Sequence, residues 1–263
     1  NDTPICFFPV FVIKKLLKLA FSPPPGWLIP YLGPVYIDFE RLKQSKKESL
    51  LYGTQLEINK FLFQKLRISY IRIYTSPGLS DSRHYKWTGY QVEPMYTYVL
   101  DLSKGLNSVW QEVSKELRRN VTKAAKEGVK VEEGSIEDLL FIDNLIAKRF
   151  QEQGIKRKNY EKYLKRLHTA LCPDYMRIFV AKYNNETITG QVILCYKDKI
   201  YFWLGSPKID ILRGTPNDLL QWEIIKWAYK KGFKYVEIMD AGDDPRFRHF
   251  KAKFNPDIVP WYS

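Results

Sequence analysis

Apolar residues at Trp110, Val113, Leu117, Val121 and Ala124 keep the three-and-four spacing of one helix face. Lys115, Arg118, Arg119, Lys123 and Lys126 fall on the other face. Gly128 stands where a left-handed residue closes a helix, and Val129 and Val131 then alternate as in a strand. Residues 110–131 therefore read as a basic amphipathic helix running straight into a β-strand.

Upstream, residues 7–21 read as a core strand followed by a short amphipathic helix, and the Pro- and Gly-rich stretch 22–34 as a rigidly turned, extended segment. Leu50, Leu51, Ile58, Phe61 and Leu62 predict a helix within 43–65. Strands are predicted over 68–74 and within 85–102. Downstream, Ser135 and Asp138 form an acidic variant of a capping box that opens a helix over 136–151, and a second helix covers 159–171. Residues 177–183, 187–196 and 199–205 alternate as strands. Asn184-Asn185 and Lys197-Asp198 supply the turns of an antiparallel meander. A helix over 219–231 ends at Gly232 and leads into a strand over 235–239. The order predicts an α/β (α+β) chain with mixed sheets, its first half a degenerate copy of the second.

Charge narrows the partners. Lys plus Arg is 42 against 29 Asp plus Glu in 263 residues, a net charge of +13. That excess points to nucleic acid, a phosphorylated substrate or an anionic membrane surface. The cysteines Cys6, Cys172 and Cys195 are odd in number and widely spaced, which argues against a disulfide framework or zinc site and fits a reducing cytosol. His84, His168 and His249 show no metal-ligand spacing. No apolar run reaches the length of a membrane-spanning helix. The lysines of 7–21 allow a contact at a membrane surface instead.

The sequence has no G-x-S-x-G, Walker or G-x-G-x-x-G motif, so its chemistry is expected to rest on positioning two substrates and stabilising charge. Three places offer that. Residues 238–255 end a strand at Asp240 and continue through Gly242 to Arg246, Arg248, His249, Lys251 and Lys253, where an anion would be met. Residues 205–223 hold Arg213-Gly214 before Pro216 and Asn217, a phosphate-loop position with a proline that removes a donor. Lys148, Arg149, Lys156, Arg157, Lys158, Lys162, Lys165 and Arg166 form a basic cluster suited to phosphates.

The chain resembles the FemABX-type peptidyltransferases, relatives of the GNAT N-acyltransferases. The resemblance is carried in order by the Ser-Pro-Pro and Tyr-x-Gly-Pro stretch, the 110–131 segment, Tyr201-Phe-Trp-Leu-Gly-Ser206, Asn217-x-Leu-Leu-Gln-Trp-Glu223 and Phe250-Lys-Ala-Lys-Phe254. It implies tandem GNAT-like domains, each a mixed twisted sheet flanked by helices, without the long coiled-coil arm of some members. The expected division is a shortened half over 1–105, a connecting basic helix over 106–128 and a second half over 129–263. It also implies transfer of an aminoacyl group from aminoacyl-tRNA to an amine of a phosphate-bearing peptidoglycan-type precursor, with no metal or resident cofactor. Lys251 would stabilise the oxyanion, with Asp240 as a candidate base. Arg118, Arg119, Phe250, Arg213, Gly214, Trp203, Ser206 and Arg248 would contact substrates. The expected place is the cytoplasm, peripheral at the inner membrane face. Two alternatives stand beside this: an acyltransferase that takes its acyl group from a coenzyme A thioester, and a non-catalytic RNA-binding module built on the basic helices.

Overall fold

The computed structural model describes residues 4–207, 215–239 and 245–263. The chain divides into two compact units, residues 1–96 with 259–263 and residues 97–258.

The first unit contains β1 (Cys6–Phe7), β2 (Phe11–Lys14), β3 (Lys18–Ser22), β4 (Val35–Tyr36), α1 (Gln44–Asn59), β5 (Tyr70–Ile73), α2 (Arg83–Trp87) and the start of β6 (Pro94–Asp101). β1 pairs with β4. β2, β3 and β5 form a small mixed sheet, β2–β3 antiparallel and β3–β5 parallel. α1 continues as a π-helical turn over Lys60–Lys65. Ala20, Leu62 and Ile68 make a small core under the mixed sheet.

Two expectations fail in this unit. The helix expected within 7–21 is a β-hairpin, because Leu16 and Leu17 form its exposed turn and no apolar helix face results. The 85–102 strand region begins as helix α2. Gly89, with φ of 90°, breaks the chain before β6.

In the second unit come α3 (Leu106–Glu112), α4 (Lys115–Lys126), β7 (Lys130–Glu133), α5 (Ile136–Glu152), α6 (Glu161–Leu171), β8 (Met176–Tyr183), β9 (Glu186–Tyr196), β10 (Lys199–Gly205), α7 (Pro216–Lys230), β11 (Tyr235–Glu237), α8 (Pro245–Ala252) and β12 (Asp257–Tyr262), the last running on into the first unit. Among the described residues the sheet order is β12-β6-β11-β10-β9-β8-β7. β8, β9 and β10 are the expected antiparallel meander, with Asn184 and Asn185 at φ of 51° and 65° in the tight turn, and β7 pairs antiparallel with β8. β10 and β11 are parallel and joined by α7, and β6 pairs antiparallel with β11. The core gathers Leu117, Val121 and Ala124 of α4 and Leu220, Ile224 and Ala228 of α7 against the sheet residues Phe179, Ile193, Ile200 and Val236. α4 is thus part of the second unit's core. On the other side of the sheet, Ile142 of α5 fills the space that a side chain at Gly190 would need.

The basic helix is broken where continuity was expected. Val113 is extended, and Ser114 caps α4 by accepting from the Leu117 amide at 3.1 Å. Arg118 Nη1 donates to the carbonyls of Trp110, Gln111 and Val113 at 3.1, 2.8 and 2.6 Å, closing the end of α3. The Ser135–Asp138 capping box forms as expected. α8 has no counterpart among the expected elements, although Pro245 at its first position is a helix-start signal. β12 escaped because it contains Pro260, which the edge of a sheet tolerates.

Candidate active site

β11 ends the parallel pair, and the Ile238 amide still bonds the Tyr98 carbonyl at 2.8 Å. Met239 then turns with φ of 39°, a left-handed value that stops the strand. Its carbonyl accepts from Lys251 Nζ on α8. The Lys251 ammonium is therefore anchored at the carboxyl end of a strand inside the sheet.

Two residues on, Lys253 is only 8% exposed. Its Nζ lies 3.0 and 2.9 Å from the two oxygens of Asp218, which is fully buried in the first turn of α7. Asp218 also accepts from Asn120 Nδ2 of α4 at 2.8 Å. Lys253 Nζ stands 3.6 Å from Glu116 and 4.8 Å from the centroid of the Phe250 ring. The Ser114 amide donates to the Lys253 carbonyl at 2.9 Å, and Phe254 is buried in the core. A buried ammonium demands its counter-ion and hydrogen bonds. Here that demand ties α8 to both α4 and α7 and fixes the backbone that presents Lys251. The sequence reading passed over this pair; the signal was a second lysine between two aromatic residues, with an Asp in the first turn of the preceding helix.

The other expected residues scatter. Phe250 shares α8 with Lys251, and Arg248 is exposed there. Arg119 is exposed on α4, while Arg118 is engaged at the end of α3. Trp203 is half-buried on β10, at a register shift between Phe202 and Leu204. Ser206 is buried: its hydroxyl accepts from the Gly190 amide at 3.0 Å, and its carbonyl accepts from Asn217 Nδ2 at 3.1 Å. It joins the end of β10 to β9 and α7. Asp240, Arg213 and Gly214 lie outside the described residues.

The start of α7 is the place a pyrophosphate would seek. Pro216, at its first position, has no N–H, and the buried Asp218 carboxylate occupies the same turn. The described part of this turn is a poor cradle for the phosphates of coenzyme A.

A second buried carboxylate lies on the sheet. Glu237 accepts from Thr97 Oγ1 at 3.2 Å and from Lys199 Nζ at 3.3 Å. Burial, and next the Glu237 charge, push the neighbouring Tyr201 phenol up to about 12. The reading of 235–239 as an ordinary strand gave no sign of Glu237. Among the described residues no group of His, Cys, Asp and Glu could hold a metal ion, and no helix is long and apolar enough to cross a membrane.

Comparison with known proteins relates the chain to others by fold and by family. The chain is similar in fold to FemX, with a TM-score of 0.66 at 14% identity over 98% of this chain and 88% of that one. It is similar to the lysylphosphatidylglycerol synthetase of Bacillus licheniformis, with a TM-score of 0.61 at 16% identity over 96% and 79%. The C-terminal domain of a putative lysylphosphatidylglycerol synthetase from Agrobacterium fabrum gives 0.60 at 15% identity over 96% and 79%. No curated protein matches in sequence. The family model described as an acetyltransferase (GNAT) domain matches residues 111–251, from α3 through Lys251. That is more than half of the 263 residues, and the chain belongs to the acetyltransferase (GNAT) domain family and is an acyltransferase.

Proposed function

We propose that this acyltransferase moves an aminoacyl group from an aminoacyl-tRNA to an amine of a phosphate-bearing envelope precursor, in the manner of the FemABX-type enzymes it resembles. The observation that carries the reading is Lys251, a cation anchored by the Met239 carbonyl at the end of β11 and braced by the Lys253–Asp218 pair behind it. The likeness to FemX, which runs over nearly the whole chain, supports it. So do the two synthetase structures, named for a lysyl derivative of a phosphate-bearing lipid. The poor fit of α7's first turn to a pyrophosphate favours an aminoacyl ester over a coenzyme A thioester as donor.

The acceptor nitrogen attacks the ester carbonyl carbon and forms the new C–N bond, while the carbonyl π pair moves onto oxygen. The Lys251 ammonium stabilises that oxyanion, an effect worth on the order of 10²–10³ in rate for one such donor. Collapse expels the ribose oxygen of the tRNA, which takes up the proton that the amine loses. Phe250 packs beside the reacting group. Arg119 and Arg248, both exposed, meet phosphates of donor or acceptor.

Titration with charged and uncharged tRNA, run in parallel with acetyl-CoA, tests the reading. Tighter binding of the charged tRNA, followed by product with an amine acceptor, supports it. Saturable binding of acetyl-CoA with no response to charged tRNA overturns it in favour of an acyl-CoA enzyme. Salt-sensitive RNA binding that ignores the aminoacyl group, with no product, leaves only the RNA-binding alternative.

A further inference from the structure

The hairpin of β2 and β3 ends in a turn whose two apolar side chains face solvent: Leu16 is 100% exposed and Leu17 is 56% exposed. Lys14 and Lys15 precede them and are exposed as well. Along the hairpin, Phe11 pairs with Phe21, and the Phe21 ring lies 6.3 Å from that of Tyr70 on β5, so one sheet face is aromatic, with the exposed Arg72 paired to Phe21 on it. Phe11 and Tyr70 on that face are both exposed. The opposite face carries Ala20 into the small core.

Charge follows the same surface. No Asp or Glu occurs in residues 3–37 or 58–80, the segments that build this sheet. The loop after the π-helical turn is fastened to the hairpin next to its tip: Lys18 Nζ donates to the Leu66 carbonyl at 3.0 Å, and the Ser69 amide donates to the Lys18 carbonyl at 2.8 Å. Lys65 and Arg67, both exposed, therefore stand beside the hairpin.

We infer that this end of the first unit docks on an anionic lipid bilayer, with Leu16 and Leu17 entering the acyl boundary and the surrounding lysines and Arg67 meeting phosphate headgroups. An apolar tip ringed by cations matches both layers of such a surface. Nucleic acid would use the cations, but it offers no apolar phase for the two leucines. The inference is independent of the donor and acceptor of the reaction.

Co-flotation of the full chain with vesicles tests it. The protein should float with phosphatidylcholine vesicles containing phosphatidylglycerol, should stay behind with phosphatidylcholine alone, and should release at high salt. Leu16→Asp with Leu17→Asp should lower partition at least about tenfold. Lys14→Glu with Lys15→Glu should lower it by about fivefold or more per lysine. Leu16 is wholly exposed, so the melting temperature should hold. Leu16→Trp gives an independent signal: its added fluorescence should shift to the blue on anionic vesicles and be quenched by brominated lipid.

Equal flotation with neutral vesicles, or wild-type partition by the leucine pair, overturns the inference. So does fluorescence from the Leu16→Trp variant that fails to shift on anionic vesicles. Loss of RNA affinity in the lysine pair without loss of flotation reassigns the surface to RNA. A dimer that the leucine pair dissociates reassigns it to a second copy of the chain.

Discussion

The second unit buries ions with their counter-ions: Lys253 with Asp218, Arg157 with Asp143, and Glu237 with Lys199. The first unit keeps its charges at the surface, and the polar groups it buries are neutral; the second unit buries neutral polar groups as well as its ion pairs, Thr189, Asn217 and Gln221 among them. Among the described residues, Tyr36 Oη, Thr54 Oγ1, Gln55 Oε1 and Tyr85 Oη have no hydrogen-bond partner, and neither ring nitrogen of His84 makes a well-formed bond. Burial pushes His84 down to about 4, with the Asp81 carboxylate pulling weakly the other way. A paired buried ion has one good geometry, which suits a unit that must hold Lys251 in place.

The hardest test of that contrast is Asp218→Ala, which strands the Lys253 ammonium in the core. It should destabilise the second unit by about 3–5 kcal/mol in denaturant unfolding. Adding Lys253→Met should recover most of the loss, because an apolar side chain of similar length needs no partner. A single substitution worth under about 1 kcal/mol would mean that the pair is not what braces α8.

Next comes Lys251→Ala. Transfer should fall by on the order of 10²–10³ while the melting temperature holds within a few degrees. Unchanged turnover in single-turnover assays sinks the oxyanion role and would leave the bracing pair as a structural feature alone.

His84 probes the first unit. Its folded value, about 4, lies below the ordinary 6.5, so the folded state resists the proton that the unfolded chain accepts. Stability from neutral His84 is therefore complete above about 6.5 and is lost as pH falls toward about 4. The loss should be about 2–3 kcal/mol, read from denaturant unfolding followed by hydrogen exchange at first-unit amides. His84→Phe should flatten that dependence. If the wild type shows no slope between these limits, His84 has a partner in solution and the contrast between the units narrows.

The mildest test is Ser114→Ala, which removes the cap of α4 and should destabilise by about 1 kcal/mol. α1 has no side-chain cap at Lys43, so Lys43→Ser should gain up to a similar amount in the first unit. Equal silence of both would show that neither helix start limits its unit.

Long periodic segments were legible from sequence. The meander β8–β10, helices α5, α6 and α7 and the capping box at Ser135 follow from local pattern, because alternation, caps and turn residues act over a few residues. The Phe-Lys-x-x-Phe setting singled out Lys251 as a candidate, and its bond to the Met239 carbonyl was not visible in it. The 7–21 hairpin was not, since a short apolar run interrupted by lysines satisfies a helix and a hairpin equally well. The break at Ser114 was hidden because the apolar spacing continues across it; only the hydroxyl's bond to the Leu117 amide decides it. The backbone partners of Arg118 were hidden for the same reason, since they exist only once α3 ends at Glu112.

The sequence by itself determined the basic balance, the order of helices and strands from α5 through β11 and the kinship to the GNAT acyltransferases. Those depend on neighbours along the chain. Tertiary structure alone decided that Lys253, 35 residues from Asp218, is its buried partner, that Met239 receives Lys251, and that Leu16 stands in solvent at a hairpin tip. Burial, counter-ion pairing and exposure are properties of distance in space, and the spacing of residues in a chain does not set them.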